Sequence, residues 1–192
     1  MGSFKTGDNI NHNLRILGLL YRYFEEANVH DRKLLCKPII ILNASIVEAV
    51  LHDFHMRVRS YTAEGVANVT RDITNYIRGK KISKFEKYIV SAEKHDLFNA
   101  NHIGLYQALF ELCRLRNRIH IQEIKHFNPD ESNVFTEKKK ILSEKCLELV
   151  MKMMEAKFPR QGRRYVDDFE LPWNGYWVIT QEEMGTGTNK SQ

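Results

Sequence analysis

From Asn11 to Lys157 the apolar residues of this chain recur three and four positions apart, and no stretch in that span alternates apolar with polar residues as a half-buried strand would. Such a period calls for helices that bury one stripe each against their neighbours. The first runs from Asn11 to Ala27, with Leu14, Leu17, Leu20, Tyr21 and Phe24 on its apolar face. Pro38 suits a first helical turn, so the second helix is expected from about Lys37 to Val58, with Asp31 to Cys36 available as an earlier turn. A third, Tyr61 to Gly79, stops at Gly79-Lys80-Lys81, and a short one follows from Ser83 to Lys94. The fifth is capped by Asn99 or Asn101 and reaches at least Asn117, and as far as Ile124 before Asn128-Pro129-Asp130 breaks it. Thr136 followed by Glu137 opens the sixth, which ends near Lys157. The expected fold is all-α, an antiparallel bundle of five to six helices carrying a C-terminal aromatic arm or small hairpin.

The bundle is expected to occupy residues 9–157, behind a disordered leader at 1–8. Residues 158–180 differ in kind: Phe158-Pro-Arg-Gln-Gly-Arg-Arg164 is basic and rich in breakers, and Phe169, Trp173, Tyr176 and Trp177 follow it. An isolated hairpin is unstable in water, so this arm should pack against the bundle or a second subunit. Residues 181–192 read as a frayed tail.

At 192 residues, 43% hydrophobic and 28% charged, the chain is long enough for one good core. Its longest uninterrupted apolar run, Ile39 to Leu42, is far short of a membrane span, and its start lacks the apolar core of a signal peptide. These features lead us to expect a cytoplasmic protein without a membrane partner. Cys36, Cys113 and Cys146 are odd in number, widely spaced and set among apolar residues, which points to reduced core positions and away from a disulfide framework or zinc knuckle. A formal charge of +5 is compatible with a polyanionic partner. No glycine-rich phosphate loop is present, and no Cys or Ser sits in a pattern that marks a nucleophile.

Chemistry concentrates between Leu109 and Gln122. At about 100° per residue, Leu105, Leu109, Leu112 and Ile119 share a narrow sector, and Arg116 and His120 fall in or beside it. Four apart, Arg116 and His120 can meet with Asn117 at their edge, while Arg114 and Arg118 point the other way as solvated positions. A second polar line, Glu48, His52, His55 and Arg59, follows one face of the second helix. A carboxylate-bridged metal bundle needs two Glu-x-x-His motifs, and the chain offers only Glu123-Ile-Lys-His126, so no metal and no cofactor are expected. The run Lys138-Lys139-Lys140 reads as a solvated face or weak phosphate contact.

The cluster Arg116-Asn117-Arg118-Ile119-His120, late in a long amphipathic helix, resembles the signature of the HEPN family: an Arg, usually followed by a polar residue, with a His four to six intervening residues downstream. The frame from Arg116 has the polar residue but three intervening positions; the frame from Arg114 has five, with Leu115 where the polar residue belongs. Upstream, Asn43-Ala-Ser-Ile-Val-Glu-Ala-Val-Leu51 is similar to the small-residue, Glu-containing helix that precedes the motif helix in many such proteins. The resemblance covers roughly residues 10 to 157.

It implies a metal-independent endoribonuclease. One His and one or two Arg per chain are too few for in-line attack by a 2′-hydroxyl, which needs a base, an acid and charge stabilisation. HEPN domains meet the need by pairing two motif helices across a homodimer. Under that expectation His120 handles protons, Arg116 stabilises the non-bridging phosphate oxygens, Asn117 orients one of them or the ribose, and the products carry 2′,3′-cyclic phosphate ends. Arg114, Arg118, Arg160, Arg163, Arg164 and Tyr165 are weaker candidates for RNA contacts. The family's settings are toxin and antiphage defence systems, where a protein partner restrains the nuclease. Two alternatives stay open: a HEPN-like module that binds RNA or nucleotide without cutting, and a helical interaction protein whose Arg/His cluster is structural.

Overall fold

The structure, a computed structural model, describes residues 2–60, 66, 68–99, 104–119, 130–159, 169–173 and 175, with side chains from Lys5 onward. Those residues form an all-α bundle without a strand.

Helix α1 (Gly2–Glu26) and helix α2 (Val29–Ser60) make a tight hairpin around Ala27-Asn28. Asn28 is the punctuation: its Oδ1 accepts the His30 and Asp31 backbone N–H groups at 2.9 and 3.0 Å, satisfying donors that the first turn of α2 cannot. Arg32 reaches back to donate to the Phe24 and Glu25 carbonyls at 3.1 and 2.9 Å, serving the C-terminal end of α1 in the same way. Both helices start earlier than their patterns suggest. Gly7 and Ile10 are buried and extend the line of Leu14, Leu17 and Tyr21 toward the N-terminus, and α1 takes in residues 2–8 of the segment expected to be a disordered leader. In α2, Pro38 lies inside the helix and not in its first turn. Its ring sits on an exposed side, where the carbonyl freed at exposed Leu34 can be met by water.

Helix α2 is the axis of the molecule and touches α1, α3, α4, α5 and α7. Ile39, Ile40, Ala44, Val47, Leu51 and Phe54 are fully buried along it. By length and composition alone α2 is also apolar enough to cross a bilayer, which corrects the expectation that no segment approaches a span. Here it is a core helix that carries a buried Asp53–Arg57 ion pair.

Helix α3 (Arg71–Gly79) starts well after Tyr61, at Thr70, whose Oγ1 accepts the Ile73 N–H. Helix α4 (Phe85–Lys94) follows. Helix α5 (Leu105–Asn117) begins at Gly104, which adopts φ 71°. That left-handed corner suits glycine, and it replaces Asn99 or Asn101 as the cap. A single turn, α6 (Glu131–Val134), is a seventh helix that four residues of sequence are too short to announce. Helix α7 (Glu137–Lys157) opens on the expected Thr136 cap, which accepts the Lys139 N–H.

The chain leaves α7 through buried Phe158, packed on Phe54 with ring centroids 4.9 Å apart. Part of the arm returns to the bundle: Trp173 lies 5.3 Å from the Tyr21 ring and donates its indole N–H to Glu148 at 3.2 Å. Residues 169–173 form a bend and not a hairpin strand. All three cysteines are buried free thiols.

Candidate functional site at the end of α5

The apolar face of α5, Leu105, Leu109, Leu112 and Leu115 among others, is fully enclosed, and this packing delivers the last turn to the surface with its polar residues outward. Arg116 Nη2 meets Glu48 Oε2 of α2 at 2.6 Å, and its Nη1 donates to Asn117 Oδ1 at 3.3 Å. The Arg116 side chain keeps 36% of its surface exposed, and Asn117 is exposed. A guanidinium has five donors in a rigid fork, so the two contacts leave others for an incoming oxyanion. Arginines in a last turn also face the negative end of the helix dipole, a favourable place for them.

The helix ends at Asn117. Arg118 and Ile119 form a turn, closed by the Arg118 N–H bonding back to the Arg116 and Leu115 carbonyls. Counting 100° per residue past Asn117 therefore fails: Ile119, expected on the buried stripe, is 50% exposed. The pairing of Arg116 with His120 as successive turns of one helix rested on that count, and α5 does not supply it; His120 itself lies outside the described residues. Arg114 is solvated as expected, 75% exposed beside Glu111 at 3.3 Å. Arg118, expected to be solvated, is only partly exposed. The weaker candidates Arg160, Arg163, Arg164 and Tyr165 also lie outside the described residues.

Sequence reasoning missed Glu48 as a site residue, having placed it on a polar line with His52 and His55. The structure divides that line among three environments. Glu48 holds Arg116. His52 is exposed, edge-on to the Tyr88 ring at 5.8 Å. His55 is buried against Tyr88, and its Nδ1 donates to the Leu51 carbonyl at 2.7 Å. Burial lowers the His55 pKa to about 4, against the opposing effect of that hydrogen bond. It is neutral near pH 7 and offers no charge to a phosphate. Among the described residues no three His, Cys, Asp or Glu side chains form a group that could hold a metal ion.

Lys138-Lys139-Lys140 is likewise divided. Lys139 bridges to Glu111 of α5 at 3.0 Å, and Lys140, expected on a solvated face, is buried against Glu144 at 2.5 Å. Its ammonium lies 4.9 and 4.5 Å from the Tyr21 and Phe24 ring centroids, so helix α1 supplies the environment that buries it. No family model, curated protein or solved structure matches this chain.

Proposed function

We propose that the chain is a metal-independent endoribonuclease of the HEPN type, working at the end of α5 and completed by a second copy of itself. The observation that carries the reading is Arg116: a guanidinium in the last turn, pinned by Glu48 from behind, open on its other side and adjacent to exposed Asn117. Such a group binds and stabilises the oxygens of a phosphodiester as charge builds on them. Exposed Ile119 beside it supports an apolar contact between two copies at this end. In that dimer the two His120 side chains act as base and acid, one taking the 2′-hydroxyl proton while the other protonates the leaving 5′-oxygen.

The test is incubation of the purified chain with labelled single-stranded RNA in EDTA, alongside sedimentation. We expect cleavage to 2′,3′-cyclic phosphate ends by a species of twice 22.6 kDa. His120→Ala and Arg116→Ala should abolish the reaction, and Arg114→Ala should only weaken it. Products with 5′-phosphate ends that require Mg²⁺, or activity from a strict monomer, would overturn the mechanism. The Arg116–Glu48 pair also fits a module that binds RNA without cutting, because the carboxylate already neutralises the guanidinium. RNA binding without cleavage would establish that second reading.

A further inference from the structure

Some cations of this chain are held in ion pairs, and others are exposed at scattered positions such as Arg15, Lys33 and Lys138, but one segment gathers several exposed ones together. Lys37, Lys139, Lys140 and Lys152 are each paired with a carboxylate. Lys80, Lys81, Lys84, Lys87 and Lys94, on the loop between α3 and α4 and along α4, are all exposed and have no carboxylate partner among the described residues. Residues 71–94 hold seven Lys and Arg against three Asp and Glu, an excess that accounts for most of the net charge of +5.

At one end of this segment the charge is gathered. The Lys80 and Lys94 ammonium groups lie 4.7 and 4.3 Å from the centroid of the same Tyr76 ring. His95 meets that ring edge-on at 4.9 Å. Two like charges held by one ring repel each other, and anionic phosphates bound to them relieve that repulsion. The opposite end leads to the site: burial and then the charge of Glu86, in the first turn of α4, raise the Cys113 thiol, which lies one turn before Arg116. Helix α4 packs on α5, and its first turn, which Lys84 precedes and Lys87 belongs to, is the part of it nearest Cys113.

We propose that this segment is a phosphate-binding track for single-stranded RNA, gripped by Lys80 and Lys94 across Tyr76 and led by Lys84 and Lys87 toward Arg116. The proposal rests on RNA being the substrate class, and it adds a binding surface separate from the cleavage motif. Cations strung along a loop and a helix, with an aromatic ring among them, suit a flexible polyanion. A lipid surface would call for an exposed apolar face beside the charges, and Val90 is the one large hydrophobic of 71–94 that is exposed.

The experiment uses the full chain and an unstructured 2′-O-methyl oligoribonucleotide, which lacks the nucleophile and so reports binding without cleavage. Fluorescence anisotropy is read across a salt series for wild type, for Lys80→Gln/Lys81→Gln/Lys94→Gln, and for the same three positions changed to Arg. The Gln variant should bind about tenfold more weakly, with a slope of log K against log salt flatter by about 2, while the Arg variant keeps both affinity and slope. Circular dichroism melts confirm that the variants fold. Wild-type affinity and slope in the Gln variant, no RNA binding by the wild type, or tighter binding to anionic phosphatidylserine vesicles than to RNA would each overturn the track. Binding through the track by a chain that leaves ordinary RNA intact would refute the nuclease alone. Cleavage with an unchanged Gln variant would refute the track alone.

Discussion

The Lys140–Glu144 pair on α7 and the Arg116–Glu48 pair between α5 and α2 are almost equally short, 2.5 and 2.6 Å, yet their surroundings are opposite. On α7 the two side chains are 11% and 1% exposed, Tyr21 donates its hydroxyl to Glu144, and the ammonium rests on two aromatic rings. One turn further, Glu148 is closed by Lys152 and the Trp173 indole. Arg116 and Glu48 are 36% and 22% exposed, and the guanidinium has donors to spare. Bond length does not separate these pairs; solvent does. A buried pair is obliged to stay made because either half alone is a charge without water. A half-exposed pair can exchange partners at little cost, which is what a binding site needs.

Removing one half of the buried pair is the sharpest way to break that contrast. Glu144→Ala leaves Lys140 charged beneath α1 and should destabilise the fold by about 3–5 kcal/mol, read from urea unfolding at neutral pH. The double variant Lys140→Met/Glu144→Leu should recover most of the loss, since well-packed apolar residues often replace a buried pair without net cost. A loss under about 1 kcal/mol in Glu144→Ala would mean that water reaches the pair and that the two regions do not differ as argued.

His55 brings the same physics to the helix that carries Glu48, two turns on. Its Nε2 is buried without a hydrogen-bond partner among the described residues, and its pKa is lowered to about 4 from 6.5. The folded state therefore resists a proton that the unfolded chain accepts. The stability belonging to neutral His55 is complete above pH 6.5 and is lost as pH falls toward 4, roughly 3 kcal/mol in all. His55→Leu should flatten that part of the profile, measured as urea midpoints between pH 7 and 4.5. A profile equally steep in both proteins would assign the acid lability to other groups.

These contrasts also explain what sequence could and could not tell. The existence of the long helices was legible because Leu14, Leu17 and Tyr21, or Ile39, Val47 and Phe54, repeat at the helical period whatever they touch. Boundaries were not: Pro38 reads as a first turn, while α2 is carried back to Val29 by the local Asn28 cap together with the Arg32 bonds to the end of α1, which require the hairpin. Burial of polar groups was hidden for the same reason. Lys140 has its partner one turn away at Glu144, but the aromatic rings that bury it come from α1, more than a hundred residues earlier. Glu48 was visible as polar, yet nothing local announces an arginine 68 positions on. The helix reaches Asn117 as expected, but the placement of Arg118 and Ile119 failed because a wheel does not allow for the turn they form.

The smallest effect on stability should come from Glu48→Gln, and its interest lies elsewhere. Because Arg116 is more than a third exposed and salt screens the pair, losing the carboxylate charge should cost less than about 1 kcal/mol. The amide that replaces the carboxylate keeps an oxygen that can accept from Arg116, so the guanidinium stays in place while its charge is no longer cancelled. RNA affinity should then rise several-fold, and its salt dependence should steepen by about 0.7, the increment for one further cation engaging a single strand. The measurement is anisotropy with a non-cleavable strand, beside an unfolding curve for the same protein. A large loss of stability with unchanged RNA binding would place the Arg116–Glu48 pair with Lys140–Glu144 as scaffold, and the end of α5 would cease to be the candidate site.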